Sequence, residues 1–124
     1  MPTREIARTE WKTYFDEFIR ARAGELVSVE LIYDPQDNPQ FPWNKQPLVG
    51  MTYEEKNGEP GTIEISAGGE ENNQHTHTVT NPVHVYHKNA RGLLSDEVNI
   101  DEVIEITSSD DPRIVFLHFT PATQ

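Results

Sequence analysis

The first periodic stretch of the chain has the spacing of an amphipathic helix. Aromatic and apolar side chains recur every three or four positions, at Trp11, Tyr14, Phe15, Phe18 and Ile19. Thr9 is a suitable N-cap, and Gly24 stands where a left-handed residue commonly ends a helix. The pattern therefore predicts a helix over about residues 9–23 whose aromatic stripe packs against a core.

From Leu26 onward the hydrophobic period changes to two, which is typical of β-strands. Strand segments are predicted at about 26–33, 48–56, 62–67, 75–80, 83–87, 102–107 and 113–119, of which 75–80 and 83–87 are two parts of one interrupted strand. Asn57-Gly58 predicts a hairpin turn, lengthened by the three residues that follow it, and Asn81-Pro82 predicts a bent strand or a bulge. The last strand is apolar on both faces. It is expected to be central, with one face on the sheet interior and the other under the helix.

A segment with four prolines, residues 34–47, separates the first two strands. Proline cannot donate to a ladder, so the segment is predicted to be a long loop rather than a central strand or a helix. Phe41 and Trp43 lie within it. They form either a partner-binding surface or part of an Ω-loop that covers one end of the core. The second interpretation is preferred, because exposed Trp and Phe side chains are costly without a partner.

These elements predict one mainly β (α+β) domain spanning residues 1–124. The helix, at about 9–23, precedes a β region at about 26–120. The helix is expected to pack on a five- to six-stranded antiparallel, strongly bent sheet, or on a small SH3-like or Sm-like barrel. The sequence pattern leaves these two architectures open.

Composition narrows the function classes. The formal net charge is -11, which repels nucleic acid and anionic lipid in the absence of a basic patch. The chain has no cysteine, so disulfides and thiolate chemistry are excluded. No apolar h-region opens the chain, and no run reaches the roughly 18 apolar residues of a membrane helix. We expect a cytoplasmic protein with neither a nucleic-acid nor a membrane partner.

The most distinctive motif is Gly69, five residues, and then His75-Thr76-His77. It resembles the start of the first metal motif of the cupins, although the glutamate and the later half of that signature are missing. Alternate strand residues share a face, so His75 and His77 are able to reach one ion. The bend at Asn81-Pro82 is predicted to bring His87 toward them. Three imidazoles suit zinc or a similar divalent ion.

The preferred interpretation of the same stretch involves no metal. Threonine is a strong β-former and histidine is tolerated on strand surfaces, so alternating Thr and His side chains also fit the solvent face of a half-exposed strand. No cofactor is expected on that interpretation. A divalent metal is the alternative, with His118 or an acidic side chain as a further ligand.

Motifs for enzyme chemistry are absent from the sequence. There is no Gly-x-Ser-x-Gly elbow, no phosphate-binding glycine loop and no dinucleotide fingerprint. Paired carboxylates such as Glu70-Glu71 and Asp110-Asp111 are adjacent in sequence, and neighbouring strand residues point apart. No catalytic constellation is therefore predicted.

The whole chain resembles a family of small, functionally uncharacterised bacterial proteins. The resemblance rests on Arg4-Glu5-Ile6, Glu10-Trp11, Phe15-Asp16, Leu26 to Glu30, Thr76 to Val79, Pro82, Val85, Glu105-Ile106 and Leu117 to Phe119. It implies a bacterial origin and a free-standing single domain. It brings no activity, substrate or catalytic residue.

The leading hypothesis is a non-enzymatic interaction or accessory module. Its protein partner, or a second copy of the chain, would contact Phe41 and Trp43. The alternative is a small metal-binding protein or metal-dependent enzyme that uses His75 and His77, with His87 or His118 assisting.

Overall fold

The computed structural model describes residues 3–33, 38–56, 59–68, 74–89, 102–110 and 112–120. Within these residues, eight antiparallel strands form one sheet accompanied by one short helix. The elements are β1 (Thr3–Ile6), α1 (Trp11–Arg22), β2 (Leu26–Ile32), β3 (Gln40–Lys56), β4 (Glu59–Ala67), β5 (His75–Thr80), β6 (Pro82–Asn89), β7 (Glu102–Ser108) and β8 (Ile114–Thr120). The strand order is β1-β6-β7-β8-β2-β3-β4-β5, so β1 and β5 are the two edges.

The mainly β class is confirmed, but two details of the predicted architecture are wrong. The sheet has eight strands rather than five or six, and it is not a closed barrel, because no pairing joins β1 to β5 in the described part of the chain. β1 escaped the sequence pattern because it is only four residues long and carries Arg4 and Glu5 at its centre. A charged tetrapeptide gives almost no period-two signal.

The proline-rich segment is also different from the prediction. From Gln40 onward it belongs to β3, whose first half pairs with β2 and whose second half pairs with β4. Pro42 lies at one irregularity of the β2–β3 register and Lys45, with a positive φ of 54°, at the other, whereas Pro47 pairs with Leu26, the first residue of β2. Such bulges allow proline within a strand. Residues 34–37 lie outside the described part. From residue 40 onward the structure has a strand where the sequence predicted a long loop or an Ω-loop.

The predicted helix is confirmed, with bounds of Trp11–Arg22. A 3-10 turn at Arg8–Glu10 leads into it, so Thr9 is not its N-cap. Glu10 holds that position without a side-chain capping bond. Gly24 has the positive φ, 94°, that was expected after the C-terminus. No helix in the described residues is long and apolar enough to cross a membrane.

The aromatic stripe of α1 packs into the core, as predicted. The ring of Trp11 contacts that of Tyr53 edge-on, with centroids 5.1 Å apart. Phe18 contacts Phe119 in the same way, at 5.0 Å. The indole Nε1 of Trp11 also donates a hydrogen bond of 2.9 Å to the backbone oxygen of Ile6, so its polar atom is satisfied. The helix therefore fixes β1 and the middle of the sheet together.

The last strand, β8, is central, as its apolar sequence predicts, since it pairs with both β7 and β2. Val115 and Leu117 on its inner face are fully buried, whereas Phe116 on the outer face is half-buried. The helix contacts Phe119 on the inner face. The expectation that α1 covers the second apolar face is therefore wrong.

The predicted hairpin joins β3 to β4, although Glu59, Pro60 and Gly61 extend β4 rather than the turn. Asn57 and Gly58 themselves lie outside the described residues. Gly61 packs so closely on the neighbouring strand that an added Cβ would stand 1.7 Å from the backbone oxygen of Glu54. Only glycine fits this approach.

The predicted bend between β5 and β6 is confirmed at Asn81, which has a φ of 51°. Its backbone N–H donates to the oxygen of Gly61, and its side chain donates a 2.7 Å bond to Asp110. The hydroxyl of Ser108 donates to the backbone oxygen of Thr80 at 2.6 Å. This corner holds the C-terminal end of β5 against the β7–β8 turn and leaves the strand at the edge of the sheet.

Candidate functional site: the edge strand β5 and its surroundings

Strand β5 presents an unpaired edge. It pairs with β4 on one side in an uninterrupted register, and no strand pairs with its other side among the described residues. Its six residues include no Asp, Glu, Lys, Arg or Pro. Proteins usually protect edge strands with such residues, or with bulges or short length, because free N–H and C=O groups are a template for another strand.

The opposite edge, β1, shows the usual protection. It is four residues long, and Arg4 and Glu5 occupy its centre. The carboxylate of Glu5 also lies 2.7 Å from the Nδ1 atom of His84 on β6. The two edges of the same sheet therefore differ in length and in charge, and only β5 has the properties of an available edge.

The side chains of β5 divide between two faces. Thr76, Thr78 and Thr80 are exposed, whereas Val79 is buried and His77 is half-buried. His75 and His77 therefore share one face, as their spacing indicates, and it is the face that continues into the core. The threonines form the solvent face of this strand, and on the opposite face His75, at its N-terminal end, is also exposed.

His75 covers Trp43 at the N-terminal end of β5. Their ring planes are 20° apart and the ring centroids are separated by 5.5 Å. Trp43 is only 6% exposed, and its Nε1 atom has no hydrogen-bond partner in the described structure. Phe41, two residues earlier on β3, is 57% exposed. Of the two predicted partner-binding residues, Phe41 is available to a partner and Trp43 is covered.

Phe41 owes its exposure to a bulge. Gln40 pairs with Leu31 and Trp43 pairs with Val29, so Phe41 and Pro42 both stand opposite the single residue Glu30. Two residues opposite one is the arrangement of a β-bulge, which redirects a side chain. The same bulge thus accommodates Pro42 within the strand and exposes the side chain of Phe41.

His77 lies in an apolar environment. It stands beside Ile65 in the register of β4, and its Nε2 atom is buried without a hydrogen-bond partner in the described structure. Burial lowers the pKa of His77 below its ordinary value of 6.5, because the charged imidazolium loses solvation. At neutral pH the ring is therefore a neutral imidazole.

The third predicted metal ligand, His87, takes part in a different cluster. Its Nε2 atom lies 2.5 Å from one carboxylate oxygen of Glu102, and Arg22 pairs with the other oxygen. His118 lies on the outer face of the sheet, 2.9 Å from Glu30. Among the described residues no three His, Asp or Glu side chains form a group able to hold a metal ion. Glu70 and Glu71, next to β5 in sequence, lie outside those residues.

The Arg22–Glu102–His87 cluster connects α1 to the inner face of β6 and β7. Burial alone would raise the pKa of Glu102, but hydrogen bonds from Arg22 and His87 hold that pKa below its ordinary value. Loss of solvent alone would lower the pKa of Arg22, but the hydrogen bond and the charge of the Glu102 carboxylate raise it above its ordinary value. Burial first, and then the charge of Glu102, raises the pKa of Tyr14 to about 12.

The cluster was not visible in the sequence, because its members come from three distant elements. Its geometry is that of a partly buried ion-pair network with a supporting aromatic wall. The Arg22 guanidinium lies 5.1 Å from the centroid of the Phe18 ring, and the Tyr14 ring lies 6.3 Å from that of His87. These contacts fix the helix on the sheet.

A shallow depression of about 310 Å³ lies between β1 and α1. It is lined by Arg4, Thr9, Glu10, Thr13, Tyr14 and Glu17. The hydroxyl of Tyr14 is itself buried, without a hydrogen-bond partner in the described residues, so the wall of the depression offers the phenol ring rather than its donor. Charges of both signs line the depression, from Arg4 on one side and from Glu10 and Glu17 on the other.

The sequence does contain a signal for the edge strand that the motif analysis did not use. No Asp, Glu, Lys or Arg occurs from residue 72 to residue 87, in a chain in which 25% of residues are charged. β5 lies within that stretch. A long uncharged stretch of alternating Thr, His and Val in an otherwise acidic chain indicates a strand whose edge is not protected by charge.

Comparison with known proteins places the chain in a group without an assigned activity. A family model described as "Family of unknown function (DUF5335)" matches residues 2–120, so the chain belongs to that family. The expected membership of an uncharacterised family is thereby confirmed, whereas the resemblance to the cupins is not shown. No curated protein and no solved structure matches the chain.

Proposed function

We propose that this member of the family is a non-enzymatic interaction module that accepts an extended strand at the free edge of β5. The observation that carries the proposal is the edge itself, which is six residues long, regular, uncharged and unpaired in the described structure. Strand addition of this kind obtains its affinity from main-chain hydrogen bonds and its specificity from alternate side chains.

The surroundings of β5 support this mode of binding. Thr76 and Thr78 present β-branched side chains to an incoming strand on the exposed face. At the N-terminal end of the strand, the ring of His75 lies over Trp43, and the exposed Phe41 precedes Trp43 by two residues on β3. A bound strand that continued beyond β5 would meet the rings of His75 and Phe41 at this end, which fits the predicted role of Phe41 but not that of the covered Trp43.

An unbiased peptide selection tests the proposal. Peptides of ten random residues, displayed on phage and selected on the immobilised protein, are expected to bind in extended form and to shift the backbone amide resonances of β5. Thr78 and Thr52 lie in one register row on the same exposed face, two strands apart. Thr78→Lys should weaken the binding of the selected peptides, because a lysine on an edge strand disfavours pairing with another strand. Thr52→Lys should leave that binding unchanged. Peptides that shift other resonances, or that bind both variants equally, would contradict the proposal.

Metal binding remains the second candidate, and one observation favours it. His77 is kept neutral by burial, has an unpartnered Nε2 atom and shares a face with His75. Neutral imidazole is the form that binds zinc. Elemental mass spectrometry of protein purified without a tag or a chelator would find about one metal ion per chain, lost in His77→Ala but retained in His118→Ala. Metal-free protein that takes up no added zinc would exclude this candidate.

A further inference from the structure

The free edge of β5 has a sequence that is complementary to itself, which bears on the identity of its partner. We infer that the strand added to β5 is β5 of a second copy, in an antiparallel pairing whose two-fold axis passes through Thr78. This inference rests on the proposed function, because it requires the same edge to be open. It goes further in naming both the partner and the register.

Symmetry restricts the registers that are available. Two copies joined edge to edge by a two-fold axis perpendicular to the sheet keep their exposed faces on the same side. Residues opposite one another in an antiparallel pair also point to the same side. Because the side-chain period is two, the axis must then pass through a residue rather than between two residues. For the strand His75–Thr80, the central choices are His77 and Thr78.

The side chains favour Thr78 as the centre. That register places Thr78 opposite its copy and Thr76 opposite Thr80, which makes a ladder of threonines on the exposed face. On the inner face it places His77 opposite Val79. Centring on His77 would instead set two half-buried imidazoles against each other. It would also bring His75 into the ladder, although its ring already lies on Trp43.

The distribution of charge favours self-pairing along β5, where the Asp110 carboxylate contacts only the Thr80 end of the strand among the described residues. Each copy carries a formal net charge of -11, so most of the surface opposes association. The stretch from 72 to 87 has no formally charged residue, and β5 lies within it. The repulsion between two copies therefore comes mainly from charges outside β5. Salt at physiological ionic strength screens charges that are more than about 8–10 Å apart.

The pairing is expected to be weak and reversible. One ladder of about five residues on each copy buries less surface than the roughly 1,000 Å² of a stable interface. A method that traps the contact is therefore the appropriate test. The chain contains no cysteine, so a single introduced cysteine reports one contact without interference.

The experiment is site-directed disulfide trapping of the full chain with oxidised glutathione. In the register centred on Thr78, the Cβ atoms of Thr78 and its copy are about 4.5–5.5 Å apart, close to what a disulfide requires. Thr78→Cys should form covalent dimer at least about ten times faster than Thr52→Cys, because pairing raises the effective concentration of the thiol. Thr52 is also exposed on the same face but lies two strands from the edge.

A mixture of two variants checks the register. If the axis passed through His77, Thr76 would face Thr78 of the second copy, and a mixture of Thr76→Cys and Thr78→Cys would give heterodimer faster than either gives homodimer. That result would overturn the inference, as would equal trapping of Thr78→Cys and Thr52→Cys. Circular dichroism of each variant confirms that the sheet is intact.

The outcome is separable from that of the peptide selection. Selected peptides that shift β5 resonances, together with no trapping at Thr78, would keep the open edge and exclude the second copy as its partner. Failure of both would remove the edge as a site. Trapping at Thr78, with an unmodified protein that sediments faster at higher salt, supports both the site and the partner.

Discussion

At the scale of single residues, some buried polar groups are paired with one another and stabilise the fold, whereas others are buried without a partner in the described residues. Arg22, Glu102 and His87 satisfy one another beneath the helix. His77 and Trp43 each keep a buried ring nitrogen without a partner in the described residues. A buried donor or acceptor without a partner costs about 1–3 kcal/mol. The hydroxyls of Tyr14 and Tyr53, beside the helix, are also unpartnered in the described residues, so the cost falls on both regions.

Replacing Glu102 with glutamine should destabilise the protein by about 1–3 kcal/mol, because Arg22 and His87 lose a charged acceptor. Glu102 is only 14% exposed, whereas Glu5, in its contact with His84, is 51% exposed. Glu5→Gln is therefore a matched control and should change the free energy of unfolding by less than about 0.5 kcal/mol. Urea denaturation measures both. Equal effects would show that the ion-pair network does not stabilise the helix on the sheet.

The same carboxyl group predicts a pH dependence. A group whose pKa is lower in the folded protein stabilises the fold above its unfolded pKa, and this stability is lost as the pH falls through the folded pKa. The wild-type free energy of unfolding should therefore drop below about pH 4.5, the ordinary value for Glu102, and Glu102→Gln should lose part of that drop. Parallel pH profiles for the two proteins would contradict this prediction.

His77 predicts a second pH effect in a different range. Because burial lowers its pKa below 6.5, the unfolded chain takes up a proton more readily than the folded chain does. Stability should accordingly decrease as the pH falls below 6.5 toward the folded pKa, and His77→Gln should reduce this decrease. Thermal unfolding at pH 7.5 and pH 5.5 provides the comparison. An unchanged difference between the two pH values would show that His77 is not desolvated.

At the scale of elements, the close approach of β4 to β3 at Gly61 leaves no room for a larger side chain. Gly61→Ala would place a Cβ atom 1.7 Å from the oxygen of Glu54, so backbone must move. We expect a loss of about 2–3 kcal/mol. Gly50→Ala is the control, because its new Cβ would meet only the Cβ of Ser66, at 3.9 Å. Two variants of equal stability would contradict the pairing of β3 with β4.

Elements with a long and regular pattern were predictable, and those with a local exception were not. Trp11, Phe15 and Phe18 define α1 through spacing alone, and β8 is central because its sequence is apolar on both faces. The first half of β3 was missed because Pro42 and Pro47 argue against a strand unless bulges are present, and bulges leave no pattern in sequence. β1 was too short for its period to be visible.

The candidate site was predictable only in part, for a related physical reason. The shared face of His75 and His77 follows from alternation along one strand. The position of β5 at the edge depends on strand order, which is decided by contacts between residues far apart in sequence. The same applies to the Arg22–Glu102 pair, since no local pattern connects α1 to β7.

At the scale of the whole molecule, an acidic chain with one uncharged sheet edge should associate more strongly as salt increases. Raising sodium chloride from 50 to 500 mM shortens the screening length from about 14 Å to about 4 Å, which reduces the repulsion between two chains of charge -11. Sedimentation velocity should show faster boundaries at high salt for wild type and Thr52→Lys, and no such change for Thr78→Lys. Association that weakens with salt would indicate a contact made by opposite charges.

The measurement that tests the open edge most directly is amide hydrogen exchange along β5, followed by NMR in dilute protein and again with a selected peptide bound. The amides of alternate residues that point away from β4 should exchange quickly in the dilute protein, and those bonded to β4 should exchange slowly. Adding the peptide should slow the outward amides of β5. Slow exchange of every β5 amide in the dilute protein, or new protection confined to other strands, would contradict the proposal that β5 is the binding edge.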